Sequence, residues 1–133
     1  MTFRLLSPGV RVWGQVHEDD IARAKDLGVT LIVNNRPDGE EPGQPASAQV
    51  EAWARAAGLD YASVPVRGRP TPGEAAALGD LLETAESALI YCRSGMRSAA
   101  AWAMARTASG AMSPDEARAA AARAGYDLSG LPL

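Results

Sequence analysis

Apolar residues recur along this chain in short blocks separated by turns rich in Gly and Pro. Phe3 to Leu6 and Val10 to Gly14 flank the turn Ser7-Pro8-Gly9, which predicts a short hairpin or strand at the start. Glu18 to Leu27 places Ile21, Ala24 and Leu27 at helical spacing behind an acidic first turn, with Gly28 as a stop. Val29 to Asn34 is a β-branched run bounded by polar residues, the pattern of a buried parallel strand. Ser47 to Ala57 is a second helix with Val50, Trp53, Ala54 and Ala57 on one face, and Gly58 ends it. Tyr61 to Val66 reads as a strand and Glu74 to Ala85 as a helix with Leu78, Leu81 and Leu82 inward.

Ala88 to Tyr91 is a further apolar strand, followed by an Ala-rich helix from Ser98 to about Thr107. Ser113-Pro114-Asp115-Glu116 is a helix start, with cap, proline and acids in order. That last helix runs to Gly125, and Tyr126 to Leu133 forms a tail. Strands alternating with helices predict an α/β fold with a mostly parallel central sheet, in one domain over 1–133. No internal repeat or linker divides it.

Two polar loops interrupt the pattern. Asn35 to Pro45 holds three prolines and two glycines, and Arg67 to Gly73 is also irregular. Each leaves the carboxyl end of a strand, as does the segment after Tyr91. In parallel sheets ligands bind beyond those ends, so all three can share one pocket.

The segment after Tyr91 is Cys92-Arg93-Ser94-Gly95-Met96-Arg97-Ser98. A strand–loop–helix joint turns backbone N–H groups and the positive helix end toward its concave side. An anion is held there, and a cysteine in that setting becomes nucleophilic. A lone cysteine at a strand end is also a common buried hydrophobe, and Arg93 and Arg97 are equally ordinary surface charges. Arginines at a helix N-terminus oppose its dipole, however, unless something negative faces them. The candidate site is therefore Cys92 as nucleophile, Arg97 as anion clamp and Arg93 to Ser98 as cradle, with Asn35, Arg36 and Arg67 reaching the same pocket.

Composition narrows the chemistry. Thirteen basic and 16 acidic residues give a net charge of −3, with no basic stripe for nucleic acid. One His and one Cys cannot build a usual zinc site, and no other cofactor is called for. A single cysteine precludes an internal disulfide and fits a reducing compartment. Met1 to Pro8 lacks the apolar core of a secretory leader, and no run is long enough for a membrane helix. The expected location is the cytoplasm, with neither membrane nor nucleic acid as a partner.

Tyr91 to Ser98 closely resembles the active loop of rhodanese sulfurtransferases, in which a cysteine carries a persulfide. It is also similar to the phosphate loop of protein tyrosine and dual-specificity phosphatases. Those loops have five residues between Cys and Arg, whereas Arg93 to Met96 makes four. A shorter loop encloses a smaller anion, which favours sulfur over a phosphoryl group. Asn34-Asn35-Arg36-Pro37-Asp38-Gly39-Glu40-Glu41-Pro42-Gly43-Gln44-Pro45 resembles the signature of the phosphatase-like domain of beta-lactamase hydrolase-like proteins. The resemblance runs from about Val10 to the Gly125-Tyr126-Asp127-Leu128 tail. Bacterial members of this family are also described as sulfur transferases.

The resemblance implies a dual-specificity-phosphatase-like fold rather than a true rhodanese fold. It assigns Cys92 as nucleophile, Arg97 as anion-binding arginine and Arg93 to Met96 as the amide cradle. It also implies a metallo-beta-lactamase-like, persulfide-processing enzyme as a companion. One departure stands out. Dual-specificity phosphatases carry a general-acid Asp after the strand matching Tyr61–Val66, where this chain has Arg67-Gly68-Arg69-Pro70. Only Asp38, Glu40 or Glu41 could protonate a leaving oxygen, with Asp38 first in line, though Pro37-Asp38-Gly39 is equally an ordinary turn. Transfer of a sulfane sulfur needs no such acid. The leading expectation is a Cys92 sulfurtransferase acting on a small-molecule sulfur donor. The alternatives are a phosphatase acting on a phosphorylated substrate through a phosphocysteine, and a non-catalytic module binding an anion or phosphopeptide.

Overall fold

The two runs richest in β-formers become neighbouring central strands, β3 (Leu31–Asn34) and β5 (Ala88–Tyr91), with every residue buried. The computed structural model describes residues 3–133, so Met1 and Thr2 of the N-terminal stretch lie outside the described residues. Five strands line up in the order β1-β2-β5-β3-β4, with β1 (Arg4–Ser7), β2 (Val10–Trp13) and β4 (Asp60–Ser63) completing the sheet. Among the described residues only the β1–β2 hairpin is antiparallel.

Register decides where the chemistry sits. Trp13 pairs with Tyr91, Tyr91 with Asn34, and Asn34 with Ser63, so the parallel strands end in one row. The residues that follow, Gly14, Cys92, Asn35 and Val64, therefore emerge side by side at the carboxyl edge.

Alternating strand residues build two cores. Val12, Val33 and Ile90 face α3 (Pro72–Thr84), α4 (Met96–Ala108) and α5 (Pro114–Arg123). Ile32, Leu89 and Tyr91 face α1 (Glu18–Asp26) and α2 (Ser47–Ala56). Helix α4 is buried on most sides, and its alanines let it approach both sheet and α3 closely. A Cβ on Gly79 of α3 would lie 3.1 Å from that of Ala105.

Several boundaries differ from the sequence reading, each for a local reason. Helix α4 begins at Met96, two residues before Ser98, because Gly95 adopts φ 98° and caps it. Helix α3 begins at Pro72 rather than Glu74, since Thr71 and Glu74 form a reciprocal capping box. Strand β4 stops at Ser63; Val64 and Val66 then donate to the carbonyls of Asn34 and Asn35, both at 2.9 Å, as a looser continuation. Leu27 closes α1 as its C-cap and is 49% exposed, not inward. No helix among the described residues is long and apolar enough to cross a membrane.

Candidate active site

The loop from Cys92 to Gly95 joins the central strand to the buried helix. Its backbone is sorted by direction. The Gly95 N–H donates to Cys92 Sγ at 3.1 Å. The carbonyls of the two preceding residues are drawn off elsewhere: Arg93 O accepts from the Gln15 N–H at 3.2 Å, and Ser94 O from Tyr126 Oη at 3.0 Å. One backbone donor thus faces the sulfur while the carbonyls of Arg93 and Ser94 face away, the polarity an anion-binding turn requires. Cys92 is fully buried.

Asn35 ties this loop to the sheet edge. Its N–H donates to Tyr91 O at 2.7 Å, its Nδ2 donates to Val64 O at 2.9 Å, and its Oδ1 accepts from Ser98 Oγ at 2.7 Å. One buried amide therefore joins the ends of β3, β5 and β4 to the first turn of α4. Every polar atom in this bridge is satisfied, so it is rigid.

Arg97 projects from α4 beneath the other loop. Its Nη1 and Nη2 each donate to Glu40 at 2.8 Å, and Nη1 also donates to Val66 O at 2.7 Å. Of its five N–H donors, Nε and one of Nη2 are left on the side edge of the fork, the edge that grips an oxyanion in bidentate fashion. The hydrogen bonds that Arg97 donates to Glu40, together with the nearby Cys92 sulfur, raise the Arg97 pKa despite opposing burial. In return, Arg97 first and Arg36 second hold the Glu40 carboxyl down to about 2.

Glu40 is itself anchored from below. Arg36, 2% exposed, donates from Nε to Glu40, from Nη2 to Glu41 and from Nη1 to Gln15 Oε1, at 2.9, 2.9 and 3.1 Å. Burial opposes its charge, but the bonds to Glu41 and Glu40 outweigh it and raise its pKa. The Asn35–Pro45 loop is thus an acidic arm pinned to the cradle by Arg36 and Arg97, with Asp38 to Gly43 exposed to solvent.

Other residues singled out from sequence fall as follows. Arg93 is exposed on the rim, its guanidinium 3.6 Å from Glu41. Ser94 Oγ accepts from the Met96 N–H at 3.3 Å, and Met96 points to solvent. Arg67 is exposed beside Val66, whose carbonyl holds Arg97. Asp38 does not take the place of a leading acid. Its Oδ1 accepts from the Ser47 N–H at 2.8 Å, at the first turn of α2, where a carboxylate satisfies an orphan donor. Its neighbour Glu40 is the acid that reaches Arg97. Sequence reasoning missed the parts played by Gln15, Val66 and Tyr126. Val66 contributes through its carbonyl, Gln15 through both its backbone N–H and its side-chain oxygen, and Tyr126 from the far end of the chain, which no motif spacing encodes.

Comparison with known proteins is consistent with this geometry. Residues 2–111 match the family model for the phosphatase-like domain of beta-lactamase hydrolase-like protein. A beta-lactamase hydrolase-like protein of Xylella fastidiosa is 38% identical over 117 residues, covering 86% of this chain and 27% of its own length. The chain thus spans about a quarter of the curated relatives it matches. A crystal structure of a candidate phosphatase from Neisseria meningitidis superposes with a TM-score of 0.87 at 32% identity, covering 98% of this chain and 93% of that one. PTPMT1, at 17% identity and a TM-score of 0.73, covers 98% of this chain and 89% of its own, and shares the fold.

Proposed function

The chain belongs to the phosphatase-like domain family of beta-lactamase hydrolase-like proteins, and from that premise we propose that it is a sulfurtransferase carrying a sulfane sulfur on Cys92. One observation carries this reading: the acid that reaches the cradle, Glu40, is held ionised by Arg97 and Arg36. An ionised carboxylate cannot protonate a leaving oxygen near neutral pH. A sulfur donor does not ask it to.

The step balances without a co-reactant. The Cys92 thiolate attacks the outer sulfur of a persulfide R–S–SH, the donor S–S bond breaks, and its electron pair leaves with R–S⁻. A Cys92–S–SH persulfide remains, and a thiol acceptor takes its outer sulfur by the same displacement in reverse. Thiosulfate serves likewise, with sulfite as the departing anion. The Gly95 amide and the side edge of Arg97 stabilise charge on the sulfur, and neither is consumed. The partners on this reading are a small-molecule sulfur donor and a metallo-beta-lactamase-like enzyme that processes persulfides, in the reducing cytoplasm.

Phosphocysteine chemistry is the second reading, supported by the phosphatase-type fold and by the description of the Neisseria relative. Intact-mass spectrometry after exposure to thiosulfate or an organic persulfide tests the choice. Gain of one sulfur atom, absent in Cys92→Ser, supports sulfur transfer. Turnover of an aryl phosphate with a poor leaving group, lost in Cys92→Ser and unaccompanied by any persulfide, would make the phosphatase primary.

A further inference from the structure

The Ser94–Gly95 peptide sets the polarity of the active loop. Its N–H points at Cys92 Sγ at 3.1 Å, while its carbonyl points the opposite way and accepts from Tyr126 Oη at 3.0 Å. A peptide unit is planar, so the two ends turn together. A peptide that precedes a glycine flips with little steric resistance, since Gly95 tolerates both signs of φ. After such a flip the Ser94 carbonyl would face the sulfur, and an acceptor would stand where the anion needs a donor. Helix geometry does not prevent this, because the peptide lies before the first turn of α4. The neighbouring carbonyl is held by the Gln15 N–H, whereas that of Ser94 is held by a side chain.

We infer that Tyr126 is a positioning residue of the active loop, its hydroxyl fixing the Ser94–Gly95 peptide so that the Gly95 amide stays on the Cys92 sulfur. The tail is built to deliver it. Gly125, at φ 96°, turns the chain off α5, and the Tyr126 N–H donates to Ala121 O at 2.9 Å. Arg4 donates to Ala124 O at 3.2 Å and lies where a Gly125 side chain would be, with its Nη1 2.9 Å from that Cβ position. The ring then reaches so close to the loop that a Cβ on Gly95 would lie 2.1 Å from Tyr126 Oη. Burial raises the tyrosine pKa, with the Cys92 sulfur adding to it against an opposing contribution from Arg4, and the hydroxyl stays a donor. Tyr126 stands outside residues 2–111, the span matched by the family model.

The test needs no turnover and therefore stands apart from the choice between sulfur and phosphate. Tyr126→Phe keeps the ring and removes only the donor. In 15N-labelled protein the Gly95 amide resonance should move or broaden, and alkylation of Cys92 by iodoacetamide should slow by about fivefold, the effect of one neutral hydrogen bond. Val50→Ala, which loosens the opposite core without touching the loop, serves as the control for stability alone. It should leave the Gly95 resonance and the alkylation rate where they are. If Tyr126→Phe changes neither readout, or lowers only the thermal midpoint as Val50→Ala does, Tyr126 is mere packing and the inference falls.

Discussion

Glu40 meets Arg97 end-on, both terminal nitrogens donating at 2.8 Å, so the arginine is aimed before any ligand arrives. The pair joins the Asn35–Pro45 loop to the first turn of α4, its two residues 57 apart in sequence. It also makes stability depend on acid. Above about pH 5 the Glu40 carboxyl is ionised in folded and unfolded chains alike, and the pair contributes fully. As pH falls below the ordinary value of 4.5, the unfolded chain takes up the proton first, and the contribution is gone near the folded value of about 2. Glu40→Gln should therefore be less stable than wild type at neutral pH, with the gap closing on acidification. Denaturant midpoints measured down to about pH 2.5 check this. A gap independent of pH would mean that Glu40 acts through packing alone.

Gly95→Ala should damage both fold and chemistry. Its φ of 98° costs an L-residue about 1–2 kcal/mol, and the new methyl overlaps the Tyr126 ring at Oη and Cζ, 2.1 and 2.8 Å away. Adding Tyr126→Ala should recover part of the overlap but not the backbone strain. The double variant should thus be less destabilised than the two single changes summed, by about 1 kcal/mol or more. Additive chemical denaturation energies would show that the ring and the loop are uncoupled.

Arg36→Met removes the support under the acidic arm. Two carboxylates and the Gln15 amide oxygen lose their buried donor. The carboxylates left unpaired keep contact with solvent, so the variant should be less stable than wild type, but by less than breaking a fully buried pair would cost. Persulfide formation should fall as well, because Glu40 no longer aims Arg97. Thermal unfolding and single-turnover mass spectrometry read the two effects separately. A variant as stable as wild type would contradict the bridging role.

Asp38→Asn should be nearly silent in chemistry. The change keeps an oxygen for the Ser47 N–H and loses only charge at the start of α2, worth about 0.3–1 kcal/mol. Sulfur transfer within about twofold of wild type is expected, an energy difference below 0.5 kcal/mol or so. A large drop in transfer would place Asp38 on the reacting atoms after all.

How much of this was legible beforehand differs by element. The order of strands and helices follows from hydrophobic period, and so does the gathering of three loops at one sheet edge, because β-branched runs and Gly stops are local signals. Cys92 and Arg97 also stand out, since their spacing is set within one strand–loop–helix joint. The choice among Asp38, Glu40 and Glu41 could not be made that way. In a loop of prolines and glycines, side-chain direction depends on what the loop lands on, and Arg36 is what it lands on. Leu27 failed for a related reason: at a helix end the period continues in the letters after the helix has stopped.

The lateral grip on the active loop has a consequence for biosynthesis. Ser94 and the tyrosine that holds its carbonyl are separated by 32 residues, while Gln15 comes from the opposite direction in the chain. In a chain made from its N-terminus, the Gln15 contact becomes possible as soon as Arg93 has emerged, whereas the Tyr126 contact must wait until the 32 residues beyond Ser94 have followed. During that interval the loop lacks its outer clamp. The loop is therefore clamped on both sides only once the tail docks, and its geometry is completed by the last segment of the fold to arrive.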